Sequence, residues 1–397
     1  MTKEKVLLAF SGGLDTSYCV KYLQLEKNLE VHTAIVNTGG FSETELEEIE
    51  TRALSLGSKN HKTIEGTQAF YDNIVKYLIF GNVLKNNTYP LSVSAERIYQ
   101  AIALAEYAQS TGAKYIAHGS TGAGNDQIRF DLIFKLISPD LEILTPVRDQ
   151  KLSRQQEIDY LAETGMKLDW TKAKYSLNKG LWGTSIGGAE TLTSHEPLPE
   201  SAFPSQLKES NPQVIEIEFE KGEICALNGK KTEPVKVIQE IEQIAGKYAI
   251  GRDMHTGDTI IGIKGRIGFE AAAAGIIIKA HHTLEKHTLT KWQLYWKEQL
   301  ANWYGMFIHE AQYFEPMMKN IENFLQDTQQ NVSGTVSVAL FPYRFEVQGI
   351  KSDHDLMASG FGDYGEINKA WTGEDIKGFT KILSNSINIY QSVNGKK

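Results

Sequence analysis

Hydrophobic and polar positions along the first half of the chain alternate between two rhythms. Val6–Phe10 is a continuous apolar run, Val31–Val36 (VHTAIV) a second, and His61–Glu65 (HKTIE) a shorter third. These read as buried strands. Between them Ser17–Leu25 carries helical spacing, and Ser42 opens a Ser-x-x-Glu capping box for a helix running to about Gly57. Ile98, Ala101, Ile102 and Ala105 fall at i, i+3, i+4 and i+7, which predicts a helix over Ser94–Ser110 with Ser94 as its N-cap and Gly112 after its end. Lys114–Gly119 and Leu141–Leu144 read as further strands, and Ser153–Thr164 as a further helix. Repeated β-α-β units imply a parallel sheet covered on both faces. The first domain is expected over 1–165.

The second half changes rhythm. Ile215, Ile217 and Phe219 alternate with polar residues, and Lys221-Gly222 and Asn228-Gly229 supply turn chemistry, so Val214–Lys231 reads as antiparallel strands. A helix follows at Val235–Tyr248, then a Gly-rich apolar stretch at Ile260–Ile278 and a long aromatic-rich helical region at Thr290–Asp327. Thr335–Leu340 and Arg344–Gln348 predict a closing hairpin. Thr372–Ile389 predicts one amphipathic helix after the Gly-rich SGFGDYG. The expected fold class is α/β: a parallel-sheet nucleotide-binding domain, an α+β domain over 166–365, and a C-terminal helix and tail over 366–397.

Composition narrows the functional classes. The chain has 397 residues and a net charge of −8, which argues against a broad nucleic-acid surface. Cys19 and Cys225 are the only cysteines, too few for a disulfide framework or a structural zinc set. The longest apolar run, Ala271–Ile278, is far short of a membrane span. With no signal-peptide pattern, the expected compartment is the cytoplasm. His281, His282 and His287 invite a metal reading, but without a neighbouring Cys or Asp they read as surface or packing residues. Trp292, Tyr295, Trp296, Trp303 and Tyr304 read as core or subunit packing.

Chemistry concentrates in two loops. The first strand runs straight into Ser-Gly-Gly-Leu-Asp-Thr-Ser, Ser11–Ser17. Gly12 and Gly13 let the backbone bend and let a ligand approach. Successive amides, the following helix N-terminus and three hydroxyls make an anion cradle. Asp15 fits a divalent metal between carboxylate and phosphate, or a helix cap. The loop is neither Gly-x-x-x-x-Gly-Lys nor Gly-x-Gly-x-x-Gly. The second loop, HGSTGAGNDQIRF (His118–Phe130), offers three glycines for close approach, together with Thr121, Asn125, Asp126 and Arg129.

The first loop resembles the PP-loop of the N-type ATP pyrophosphatases. Together with TYPLSVSAER and HGSTGAGNDQIRF, and with KYSLNKGLWGTS, AGKYAIGR and IGIKGRIGFE following in order, the chain resembles the argininosuccinate synthase family to about Glu270. The resemblance implies adenylation of the ureido oxygen of citrulline by ATP, pyrophosphate release, and displacement of AMP by the amine of aspartate. It places ATP on Ala9, Phe10, Ser11, Gly12, Gly13, Leu14, Asp15, Thr16 and Ser17, with Val36 near adenine and Gly119 beside the nucleotide. Ser11, Asp15 and Thr16 lie nearest the chemistry, and Mg²⁺ bridges the phosphates. Aspartate falls to Thr121, Asn125 and Asp126. Citrulline falls to Tyr89, Ser94, Asn125, Arg129, Ser176 and Ser185, with Arg97 as a second carboxylate partner. The resemblance also implies a homotetramer in which Ile376, Phe379 and Leu383 pack on a neighbour. It implies no nucleic-acid or membrane partner. No residue presents itself as a general base.

One departure stands out. Relatives carry a Glu twelve residues before a Tyr in the citrulline site; here Gly257 and Phe269 occupy those positions. A charged hydrogen bond of this kind contributes about 1.5–3 kcal/mol. Asp258 or water is expected to replace it, and an N-acylated citrulline is the alternative acceptor. A tRNA-thiolating relative needs a reactive cysteine pair, and only Cys19 is near the loop. A glutamine-dependent amidating relative needs a glutaminase domain or an N-terminal Cys nucleophile. A nucleotide sensor needs no amino-acid site.

Overall fold

The computed structural model describes residues 3–166, 174–361 and 370–395. Five parallel strands, β1 (Lys5–Ala9), β2 (Glu30–Asn37), β3 (His61–Glu65), β4 (Tyr115–Ala117) and β5 (Glu142–Leu144), form one sheet in the order β3-β2-β1-β4-β5. The apolar run that begins at Val6 explains why the sheet is covered twice. Val6 and Leu8 enter one core cluster and Leu7 the other, so both faces of β1 are buried. The order reverses at β1, whose neighbours are β2 and β4. Ligands of open α/β sheets bind at such a switch point, beyond the carboxyl ends of the strands.

The second part of the chain holds two antiparallel sheets. The first joins β6 (Ser176–Gly180), β7 (Gly183–Gly187), β11 (Arg252–Asp258) and β12 (Lys264–Glu270) in the order β11-β12-β7-β6. The second joins β8 (Gln213–Glu220), β9 (Glu223–Leu227), β10 (Lys230–Lys231), β13 (Gly334–Phe341) and β14 (Arg344–Lys351) in the order β10-β9-β8-β13-β14. The first of these sheets brings the second part to the nucleotide side. Leu181, between β6 and β7, donates its backbone N–H to the Thr38 carbonyl at 2.9 Å.

Several elements differ from the sequence reading. The first helix starts at Leu14, inside the loop motif. The helix expected from Ser94 starts at Ser92, so Ser94 sits within its first turn and is not its N-cap; that place is taken by Leu91 with φ of 63°. The Ile260–Ile278 stretch divides into β12 and a helix, Ala272–Thr288. Thr290–Asp327 divides into Lys291–His309 and Pro316–Thr328. The last helix breaks at Ser384 into Gly373–Leu383 and Asn385–Asn394. Most of SGFGDYG lies outside the described residues, as does Lys396-Lys397.

Burial divides the aromatic cluster. Tyr304 is core, but Trp292, Tyr295, Trp296 and Trp303 are each about 60% exposed on the single chain. His281 is buried within the Ala272–Thr288 helix, with Nδ1 on Asn82 Oδ1 and Nε2 on Gln329 Oε1. Beside it a buried ion pair, Lys297 Nζ–Glu285 Oε2 at 2.9 Å, joins two helices of the second part, and Lys297 also donates to the Phe80 carbonyl of the first. Among the described residues no helix is long and apolar enough to cross a membrane.

Candidate active site

The Ser-Gly-Gly-Leu-Asp-Thr-Ser loop follows β1 directly. Gly12 adopts φ of 77°, and a Cβ there would meet Ile49 Cγ1 at 3.1 Å, so both backbone and packing call for glycine. Arg52 Nη1 donates to the Gly12 carbonyl at 2.6 Å, which fixes that carbonyl away from the turn. The helix Leu14–Leu25 begins after Gly13, which has no side chain to cap the first-turn amides. Ser17 Oγ and Thr16 Oγ1 both donate to the Gly13 carbonyl, at 2.8 and 3.2 Å. The glycine turn and the uncapped positive end of the helix together suit a phosphate chain.

The second loop is braced against the first. A Cβ on Gly119 would lie 3.2 Å from the Thr16 nitrogen and 3.1 Å from its Cγ2. Ser120 N donates to His118 Nδ1, so His118 presents Nε2–H to Asp131 Oδ1 at 2.9 Å. Arg148 holds the other Asp131 oxygen at 2.7 Å. Behind the first loop, burial first and then the neighbouring Asp15 carboxyl push Glu157 up to about 8.

One cavity of about 640 Å³ runs between the loops. It is lined by Ala9, Phe10, Ser11, Gly13, Leu14, Asp15, Thr16, Val36 and Gly119, and also by Arg97, Asp126 and Ser176. Gly12 and Ser17 stand just behind this wall. Asp126 is shared by two guanidiniums: Arg97 Nε at 3.1 Å and Arg129 Nη1 at 2.9 Å. Burial works to raise the Asp126 carboxyl, but the two arginines outweigh it and hold it below the ordinary value. Arg97 also donates to Gln100 Oε1 and to Asn178 Oδ1, each at 2.7 Å.

Other expected substrate contacts are engaged within the protein. Arg129 is buried and donates to Asp126, to Ser94 Oγ at 2.9 Å and twice to the His309 carbonyl, so its fork is already occupied. The Tyr89 hydroxyl accepts from Val93 N at 3.1 Å and pairs with Ser92 Oγ, completing the start of the Ser92–Ser110 helix. Asn125 Oδ1 accepts the Ile260 N–H at 2.9 Å, tying the second loop to the β11–β12 turn. Ser185 is fully buried and its Oγ has no partner. Thr121 is exposed and stands outside the cavity wall. The expectation that Asp258 replaces the missing carboxylate meets an obstacle, because Asp258 is exposed and paired with Lys264 at 2.7 Å.

Sequence reasoning missed Glu96, a carboxyl buried in the wall of the cavity. Thr38 Oγ1 donates to its Oε1, and burial raises it to about 7. A cue was present: a Glu at the start of a helix whose neighbouring positions are buried.

Residues 5–167 match the family described as arginosuccinate synthase N-terminal HUP domain, and residues 175–390 match its C-terminal domain. The chain belongs to the argininosuccinate synthase family. Its curated relatives include proteins named argininosuccinate synthase from Dictyoglomus thermophilum (36% identical, covering 96% of each chain) and Methanocaldococcus jannaschii (36%, 91% of each). Another, from Pyrococcus furiosus, is 35% identical over 98% of this chain and 95% of its own. For an argininosuccinate synthase family member the arrangement is coherent. The HUP sheet presents the Ser11–Ser17 loop, and the second domain closes a polar chamber beside it.

Proposed function

We propose that the chain joins citrulline to aspartate at the expense of ATP, through a citrullyl-adenylate, releasing AMP and pyrophosphate in arginine biosynthesis. The observation that carries this is the single cavity shared by the phosphate cradle at Ser11–Ser17 and the Arg97–Asp126 cluster. A ureido carbon is a poor electrophile, and adenylation gives it a good leaving group. The protein positions the reactants and stabilises phosphate charge. ATP falls to 9–17, Val36 and Gly119. Aspartate falls to Thr121, Asn125 and Asp126, and citrulline to Tyr89, Ser94, Arg97, Arg129, Ser176 and Ser185. Arg129 then acts by holding Asp126 and Ser94 in place until substrate exchanges for one of its partners. Mg²⁺ fits the donor set: it needs one or two carboxylates plus substrate phosphates, and Asp15 stands at the cradle. When bound it neutralises phosphate charge. The functional division follows 1–165, 166–365 and 366–397. A cytoplasmic homotetramer, built through the exposed C-terminal helices, completes the reading.

The test is phosphorus NMR of the purified protein with ATP, citrulline and aspartate. AMP and pyrophosphate should accumulate beyond one turnover only when all three are present; ADP with orthophosphate would end the proposal.

An acylated acceptor is favoured by three observations. A side chain at 257 would meet His255 Nε2 at 2.7 Å, Asp258 is tied to Lys264, and Phe269 lies on Tyr89 at 5.4 Å. No carboxylate there receives an α-ammonium, and N-acetylcitrulline or N-succinylcitrulline would need none. Relative kcat/KM on the three acceptors decides. A hundredfold preference for plain citrulline, about 2.7 kcal/mol, removes the acylated reading.

A further inference from the structure

We propose that Glu96 is the base that takes the proton from the incoming amine. This rests on the ligase reading above and adds to it the group that the sequence did not supply.

The hydrogen bonds around Glu96 have one consistent direction. A guanidinium only donates, so Gln100 turns its oxygen to Arg97 Nη1. Its amide NH₂ therefore faces Thr38 Oγ1, at 3.2 Å. Thr38, having accepted there, gives its own hydrogen to Glu96 Oε1. Oε1 is thus an acceptor, and a proton held by Glu96 sits on Oε2. The charged groups facing that oxygen are Arg97, 3.7 Å away on the same helix, and Asp126 on the next. From β6 the backbone comes close: a Cβ on Gly180 would lie 2.8–3.1 Å from the carboxyl atoms. Glycine there lets the chain close over Glu96 without displacing it.

The other acids of the cavity wall are Asp15, Glu45 and Asp126. Each is occupied. Asp126 is neutralised by Arg97 and Arg129. Glu45 caps a helix: its Oε2 accepts the Ser42 N–H and hydroxyl, both at 2.8 Å, and these bonds hold its carboxyl below the ordinary value. Asp15 sits in the cradle that takes the phosphates. His118 has both ring nitrogens engaged. Glu96 is left, one guanidinium away from Asp126. Burial holds it near the operating pH, where a general base works best.

The step balances with one proton. The substrate amine arrives as an ammonium and gives a proton to Glu96 Oε2. Its freed lone pair attacks the carbon of the neutral isourea adenylate. The C–N bond forms, the C–O bond to AMP breaks, and AMP leaves with that electron pair. The guanidinium product keeps the remaining protons, and Glu96 returns its own to solvent.

The experiment separates the half-reactions. ATP–pyrophosphate exchange needs only ATP and the ureido acceptor, whereas ligation also needs aspartate. Glu96→Gln should keep exchange within about threefold of the parent while ligation falls about a hundredfold or more. It should also lose the rise of kcat/KM for aspartate near pH 7. Hydroxylamine, neutral at that pH, should restore product formation in E96Q. Glu96→Asp, which keeps a carboxyl, should keep the pH limb, and near-UV circular dichroism checks that both variants are folded. Equal losses of exchange and ligation, or full ligation by E96Q, overturn the proposal. A parent protein with no exchange on any acceptor takes down the ligase reading itself, and this inference with it.

Discussion

Arg97 and Arg129, from two neighbouring helices, grip opposite oxygens of the one carboxylate of Asp126, at 3.1 and 2.9 Å. Removing that charge leaves two guanidiniums facing each other across a neutral group. Asp126→Asn should therefore lose about 3 kcal/mol of stability, the lower end for a buried pair, since Asp126 keeps an edge on the cavity. Its kcat/KM for aspartate should fall at least a hundredfold. Urea unfolding and aspartate titration measure the two losses. Unchanged stability would mean that the pairing is ornamental.

Glu96 gives the protein a pH signature independent of activity. Its folded-state pKa, about 7, lies above the ordinary Glu value of roughly 4.3. The folded protein therefore holds a proton over a range in which the unfolded chain has released it. That contribution is complete below about pH 4 and is lost as pH rises through 7, by an amount on the order of 3 kcal/mol. E96Q cannot titrate, so its stability relative to the parent should improve between pH 5 and pH 8. Parallel urea curves at the two pH values test this. An unvarying difference would place Glu96 in an ordinary solvated setting.

Cys19 lies fully buried in the helix that follows the phosphate cradle, and burial, then Asp15, pushes its thiol far up. A thiol-transferring relative would need the reverse. In the native protein a disulfide reagent should modify at most Cys225, which is half-buried, and should reach Cys19 only in denaturant. Rapid labelling of two thiols without denaturant would reopen the thiolation rival.

Lys297 should be costly to lose. Its ammonium pairs with the buried Glu285 and donates to the Phe80 carbonyl, across the division between the two halves of the chain. Lys297→Met strands a buried carboxylate and should destabilise the fold by about 3–5 kcal/mol. A loss below about 1 kcal/mol would show that water reaches Glu285.

The C-terminal helices expose Ile376, Phe379, Ile382, Leu383 and Ile387 along the single chain. The proposed homotetramer would set this apolar face against a copy of the chain. Replacing Ile376, Phe379 and Leu383 together by Asp should reduce the mass measured by light scattering toward the 44.4 kDa of one chain. An unchanged assembly would assign the contact elsewhere.

The parallel sheet was readable because its strands are apolar on both faces, as Val6–Leu8 are, and its helices carry marked starts, as at Ser42 and Ser153. The four-stranded sheet was not. β7 reads Gly-Thr-Ser-Ile-Gly, with one large apolar residue, and a Cβ on its Gly183 would come 2.6 Å from that of Ala271. The Ser11–Ser17 loop was legible as a strand-to-helix turn, since its glycines and hydroxyls lie next to one another in the chain. Which partner each polar side chain chooses was not, because that depends on distant residues: Arg129 on the His309 carbonyl and Asn125 on Ile260. Glu96 was overlooked for the same reason, since only the folded chain puts Thr38 and Gly180 around it.

The hydrogen bond from Leu181 to Thr38 has a consequence for the chamber. A methyl on neighbouring Gly40 would come 2.1 Å from the Lys179 carbonyl, so the end of β2 and the β6–β7 hairpin are in direct backbone contact. That seam ties the tip of β2 to the hairpin at the edge of the chamber, whose wall both Gly40 and Lys179 line, so a displacement of either backbone is passed directly to the other.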